Sequence, residues 1–193
     1  MANTKSTTED SPASETSTVP ASKTSGTSAS KTSKIDRRFN YQKTSRGAYE
    51  LLLALEKYLQ TSGLEESLLH LVMLRASQIN GCAFCIDMHW KDLRALGETE
   101  QRLYGLDAWE ESPYYSDRER AALAWTEAVT NIQQGHARDE VYEHARKFFS
   151  EKEIADLTLD IAAINSWNRL AIAARTPAGF YQAAKPQEMS KGA

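Results

Sequence analysis

Ser77-Gln78-Ile79-Asn80-Gly81-Cys82-Ala83-Phe84-Cys85-Ile86-Asp87-Met88-His89 holds both cysteines of the chain, two residues apart, and a histidine four positions after the second. If the segment is helical from about Cys82, then Cys82, Cys85 and His89 fall at i, i+3 and i+7 on one face. Cys85 and His89 are then one turn apart, close enough for the imidazole to take a thiol proton. The thiolate is the nucleophilic form, and a neighbouring base or a helix N-terminus lowers the thiol pKa. Asn80-Gly81, just ahead of Cys82, reads as the place where that helix begins, with Asn80 capping its free amides. Both activating devices therefore lie within about ten residues of one another.

Outward from this stretch the chain reads as helical. On the N-terminal side, Leu68-Leu69-His70-Leu71-Val72-Met73-Leu74 is apolar almost all round, which predicts a central helix from about Leu64 to Ile79 with His70 inside it. Before it, Ala48, Leu51, Leu52, Leu55, Tyr58 and Leu59 recur at helical spacing between Arg46 and Gln60, and Thr61-Ser62-Gly63 stops that helix. On the C-terminal side, the cysteine helix continues through Trp90, Leu93 and Leu96 to Gly97. Glu98 to Tyr104 reads as a short helix, and Gly105 to Tyr115 as a loop anchored by aromatic residues. Ser116-Asp117-Arg118-Glu119 and Ser150-Glu151-Lys152-Glu153 have capping-box form and open two further helices. Asp139 to Phe149 forms another amphipathic helix between them, and Pro177-Ala178-Gly179 closes the ordered part. No stretch alternates like a strand, so the expected fold class is all-α, with six to eight helices. A C-x-x-C without a strand before its helix is not an ordinary thioredoxin site.

The chain has 193 residues, 25% of them charged, and a net charge of −3. That length suits one domain with a proper core, and the charge implies no nucleic-acid-binding face. No apolar run approaches the roughly 18 residues that span a bilayer, and no apolar segment follows Lys5 as in a secretory signal. Two cysteines in a reducing compartment point to redox or metal chemistry rather than to a disulfide framework, so the chain reads as cytoplasmic. Residues 1–34 form a tract that is half Ser and Thr, too poor in apolar side chains to order itself. The expected organisation is a disordered tail over 1–34, a helical domain over 35–184 and a polar tail over 185–193.

Three blander assignments compete at these positions. Cys82 and Cys85 could be inert buried thiols. His70, Cys82, Cys85 and His89 make up a Cys₂His₂ set for zinc, but three of the four would come from one helix face, whereas zinc sites usually draw ligand pairs from separate elements. His70 could be an ordinary core histidine. Haem attachment is excluded, because Ile86 follows Cys85. His136 and His144 read as surface residues, Ser77 and Asp87 as hydrogen-bonding neighbours of the thiols, and Trp90, Trp109, Trp125 and Trp167 as core or subunit-interface residues.

The segment from Leu71 to His89, LVMLRASQINGCAFCIDMH, resembles the core motif of the alkyl hydroperoxidase D (AhpD)-like or carboxymuconolactone decarboxylase superfamily. Gly97 to Tyr104, Glu119 to Trp125 and Ile161 to Arg169 extend the likeness over most of residues 45–175. The resemblance implies an all-helical fold assembled as a homotrimer or homohexamer, and thiol-dependent peroxidase activity. It casts Cys85 as the peroxide-attacking thiol, Cys82 as its resolving partner and His89 as the proton relay. It implies a cycle with no metal and no bound organic cofactor, and an external dithiol reductant such as a lipoyl group or a thioredoxin-like protein. The family's usual glutamate twelve residues before the first cysteine is replaced here by His70, which can also pass a proton but carries no negative charge. Two alternatives stand beside this reading, a lactone decarboxylase and a non-enzymatic dithiol redox sensor or adaptor.

Overall fold

In the computed structural model, residues 36–183 are described; the expected tails over 1–34 and 185–193 lie outside them. The described residues form eight α-helices and no strand: α1 (Tyr41–Thr44), α2 (Arg46–Leu59), α3 (Glu66–Asn80), α4 (Ala83–Ala95), α5 (Glu100–Tyr104), α6 (Asp117–Thr130), α7 (Asp139–Arg146) and α8 (Glu151–Ala174), with a 3₁₀ turn at Leu106–Ala108. Among the described residues no helix is long and apolar enough to cross a membrane.

The apolar circumference of α3 makes it the centre of the fold. It packs against α4, α6 and α8, and Leu68, Leu69, Leu71, Val72 and Leu74 are all buried. Removing five such side chains from water contributes on the order of 10 kcal/mol. Leu68 and Val72 meet Trp125, Leu157 and Ile161 on one side, while Leu71 and Leu74 meet Leu93, Leu103 and Leu123 on the other. Both expected capping boxes form: Ser116 and Ser150 accept from the amides of Glu119 and Glu153, whose carboxylates accept in return from the two serine amides. The loop after α5 is anchored as its aromatic content suggests. The Trp109 indole N–H donates to Glu127 (2.7 Å), which also takes the Arg75 guanidinium (2.8 Å).

Two local expectations are corrected. The cysteine helix does not begin at Asn80-Gly81. Instead α3 runs through Asn80, Gly81 turns left-handed (φ 69°) at its end, and α4 begins at Ala83 with Cys82 as its N-cap. A glycine supplies that conformation without strain from a Cβ. Leu51, expected on the apolar face of α2, stands 74% exposed. The apolar stripe of α2 is wider than α8, its main long-range neighbour, can cover.

Candidate dithiol and histidine site

Cys82 and Cys85 are free thiols, and both are buried. They lie between α3, α4 and α8 among Ala76, Ile164 and Ala171, with Met73, Phe84 and Trp167 packed around them. Asn168 of α8 holds this junction together. It is fully buried, donates to Ser77 Oγ (3.0 Å) and accepts from Asn80 Nδ2 (2.9 Å), which also reaches the Ala76 carbonyl and Asn165 Oδ1. Asn80 thus ties α3 to α8 rather than capping α4. Ser77 does support the thiol region, through Asn168. Asp87 turns away, accepting from Lys91 (2.8 Å) and from the Gly179 amide (3.1 Å), and so fastens the C-terminal segment to α4.

The two thiols are electrostatically unlike. A hydrogen bond from the Cys85 thiol does most to lower the Cys82 pKa, to about 7; the Cys85 and Phe84 amides and Asn168 assist, against the opposing effect of burial. Cys85 moves the other way, raised by its bond to Cys82, by burial and by the charge on Cys82. The pair therefore gives up its first proton readily and holds the second. Placing Cys82 at the N-cap of α4 puts it where helix amides favour an anion.

The histidines converge with each other. His70 on α3 and His89 on α4 set their Nδ1 atoms 3.3 Å apart, and Asp92 Oδ2 stands 3.9 Å from each. Tyr181 donates to the other Asp92 oxygen, Oδ1, at 2.6 Å. His89 is buried, and its Nε2 has no hydrogen-bond partner. Burial, with His70 beside it, pushes its pKa down to about 3, so its imidazole is neutral at physiological pH; burial lowers His70 as well, against the charges of Asp92 and Glu66. No hydrogen bond among the described residues joins His89 to either thiol. The potential ligand group formed here is His70, His89 and Asp92; neither cysteine belongs to it, so the Cys₂His₂ set is not assembled.

A cavity of about 580 Å³ opens beside the histidines, lined by His70, His89, Asp92, Glu56, Asp160 and Tyr181 among others, and by neither cysteine. Asp160 is buried with one carboxylate oxygen unpartnered; burial and the nearby Glu56 raise its pKa to about 8. His136 and His144 are exposed, as expected. Asp92 and Asn168 were not among the expected site residues. Asp92 lies one turn beyond His89, and Asn168 is a polar residue on the buried stripe of Ile161, Ile164 and Ala171, so both carried a signal in the sequence.

A sequence model of the carboxymuconolactone decarboxylase family matches residues 46–128. The uncharacterized protein YdfG of Bacillus subtilis (strain 168) is 42% identical over 139 residues, which cover 72% of this chain and 95% of that protein. Among solved structures, a protein of unknown function from Agrobacterium tumefaciens, provisionally assigned to antioxidant defence as an AhpD, is 46% identical. It matches 76% of this chain and 100% of its own, with a TM-score of 0.73. The debrominase Bmp8 shares the fold at 19% identity, over 70% of this chain and 73% of its own, with a TM-score of 0.62. By the extent and identity of these matches, the chain belongs to the AhpD-like/carboxymuconolactone decarboxylase superfamily.

Proposed function

We propose that the protein is a cytoplasmic dithiol peroxidase that reduces hydrogen peroxide or organic hydroperoxides. The observation that carries this reading is the pair of free, buried thiols at the start of α4, three positions apart along the helix turn, with Cys82 at the N-cap where helix amides favour a thiolate. A thiolate sulfur attacks the terminal peroxide oxygen, forming an S–O bond and breaking the O–O bond; the other oxygen leaves as hydroxide, or as alkoxide from an organic hydroperoxide, and takes up a proton to give water or an alcohol. The second thiol displaces water from the sulfenic acid to close a Cys82–Cys85 disulfide. An external dithiol, lipoyl or thioredoxin-like, then restores both thiols by exchange.

The resemblance assigns the attack to Cys85 and resolution to Cys82, while the N-cap position of Cys82 favours a thiolate there. His89 and His70, in contact through their Nδ1 atoms, would relay protons between this region and the cavity. A homotrimer or homohexamer is the proposed assembly. One observation favours a second reading: the cavity is walled by histidines and carboxylates and by neither thiol, which suits acid–base chemistry such as lactone decarboxylation.

The discriminating experiment treats fully reduced protein with one equivalent of hydrogen peroxide, quenches it with an alkylating agent and maps the thiols by mass spectrometry. Rapid formation of the Cys82–Cys85 disulfide supports the peroxidase. Thiols that stay reduced under these conditions refute it and leave the acid–base reading.

A further inference from the structure

The geometry points to a binding site for a divalent transition-metal cation of the zinc class, formed by His70 Nδ1, His89 Nδ1 and Asp92 Oδ2. The three atoms form a triangle with sides of 3.3, 3.9 and 3.9 Å. A point equidistant from its corners lies about 2.2 Å from each, close to the 2.0–2.2 Å at which zinc meets imidazole nitrogen and carboxylate oxygen. A contraction of a few tenths of an ångström would lift the ion out of the plane into a tetrahedral position. The donor set selects the metal class: two imidazoles with one carboxylate suit Zn²⁺, Co²⁺, Ni²⁺ or Fe²⁺ rather than Mg²⁺ or Ca²⁺.

Two further observations fit a metal site. The Tyr181 hydroxyl donates to Asp92 Oδ1 and leaves Oδ2 facing both histidines, as outer hydrogen bonds orient carboxylate ligands. The C-terminal segment that carries Tyr181 is itself anchored, because Lys91 donates to the Tyr181 carbonyl (3.0 Å) and Asp87 accepts from the Gly179 amide. All three ligands line the cavity, so the remaining coordination positions are open to water or to a small anionic ligand. The cation site stands whether or not the protein is a peroxidase. One consequence does rest on that reading: a bound cation occupies Nδ1 of both histidines and interrupts their relay, so the metal inhibits thiol turnover.

The test titrates Co²⁺ into reduced, chelator-treated full-length protein and follows visible absorption, with binding isotherms for Zn²⁺. The expected result is one ion per chain, with the strong visible bands of four-coordinate cobalt and no thiolate-to-cobalt charge-transfer band. His70→Ala and Asp92→Asn should each weaken binding roughly 100-fold, and Tyr181→Phe about tenfold. Cys82→Ser/Cys85→Ser should bind as wild type does. Absence of binding by the wild-type protein overturns the assignment, and so does binding unchanged by His70→Ala and Asp92→Asn. A thiolate charge-transfer band lost in the double serine variant also overturns it, by moving the cation to the cysteines. Because the readout is binding and not turnover, its failure is separate from a failure of the peroxidase reading.

Discussion

Replacing Asn168 with alanine should uncouple the thiol pair from α8 and cost stability at the same stroke. The side chain is fully buried and makes two hydrogen bonds, to Ser77 Oγ at 3.0 Å and from Asn80 Nδ2 at 2.9 Å. Asn80 keeps the Ala76 carbonyl and Asn165 as partners, whereas Ser77 loses Asn168 as its side-chain donor. With about 1 kcal/mol per net bond and 1–3 kcal/mol for an orphaned buried group, the loss comes to about 2–4 kcal/mol. For a domain of this size that lowers Tm by roughly 5–15 °C. Asn168 also helps lower the Cys82 pKa, so the thiolate midpoint should rise from about 7 toward ordinary thiol values. The rate of iodoacetamide alkylation of reduced protein against pH, with the modified residue identified by mass spectrometry, reads that midpoint. Asn168→Asp, which sets a carboxylate beside the thiolate, should raise it further. A folded Asn168→Ala protein with an unmoved midpoint and unchanged Tm would show that Asn168 does not hold the thiol junction.

Three other outcomes follow from the same structure. The thiol pair should make stability depend on pH in both directions. Cys82, depressed from 9.0 to about 7, contributes stability that is present above the unfolded thiol value and lost as pH falls through about 7. Cys85, raised, contributes stability present below the unfolded value and lost as pH rises toward its folded one. The stability difference between reduced wild type and Cys82→Ser/Cys85→Ser, measured by urea unfolding, should therefore grow by roughly 2 kcal/mol from pH 7 to 9 and then decline. Tyr41 and Asn168 face the pair and must be kept in both proteins. Because both sulfurs are buried beneath Met73, Phe84 and Trp167, hydrogen peroxide should oxidise them faster than cumene hydroperoxide in stopped-flow, and equal rates would contradict the burial. Ser150→Ala, which breaks the capping box at the start of α8, should lower stability by about 1 kcal/mol in urea with little effect on the thiolate midpoint.

The sequence is most informative where the signal is local. Ser116 with Glu119 and Ser150 with Glu153 declare helix starts within four residues, and both form as read. The uninterrupted apolar face of Leu68 to Leu74 likewise announces the central helix, because no one-sided neighbour could cover it. Asn80-Gly81 was ambiguous for a physical reason. The same dipeptide can open a helix through the asparagine side chain or end one through a left-handed glycine. The choice is settled by Asn165 and Asn168, partners 85 and 88 residues away. Spacing on α4 correctly placed Cys85 and His89 on one face, yet could not show that His89 turns its Nδ1 to His70 and Asp92. That orientation depends on how α3 and α4 cross. Leu51 illustrates the converse: periodicity marks a residue as apolar-faced without saying whether a neighbouring element is there to cover it.

Catalysis by the dithiol is tested by steady-state peroxide consumption with dihydrolipoamide as reductant. Wild type should be compared with Cys82→Ser, Cys85→Ser and the double variant, all freed of metal with a chelator. Wild type should turn over peroxide and each single variant should not, since either loss prevents the internal disulfide. No turnover by wild type, or turnover that persists in the double variant, would contradict catalysis by the dithiol.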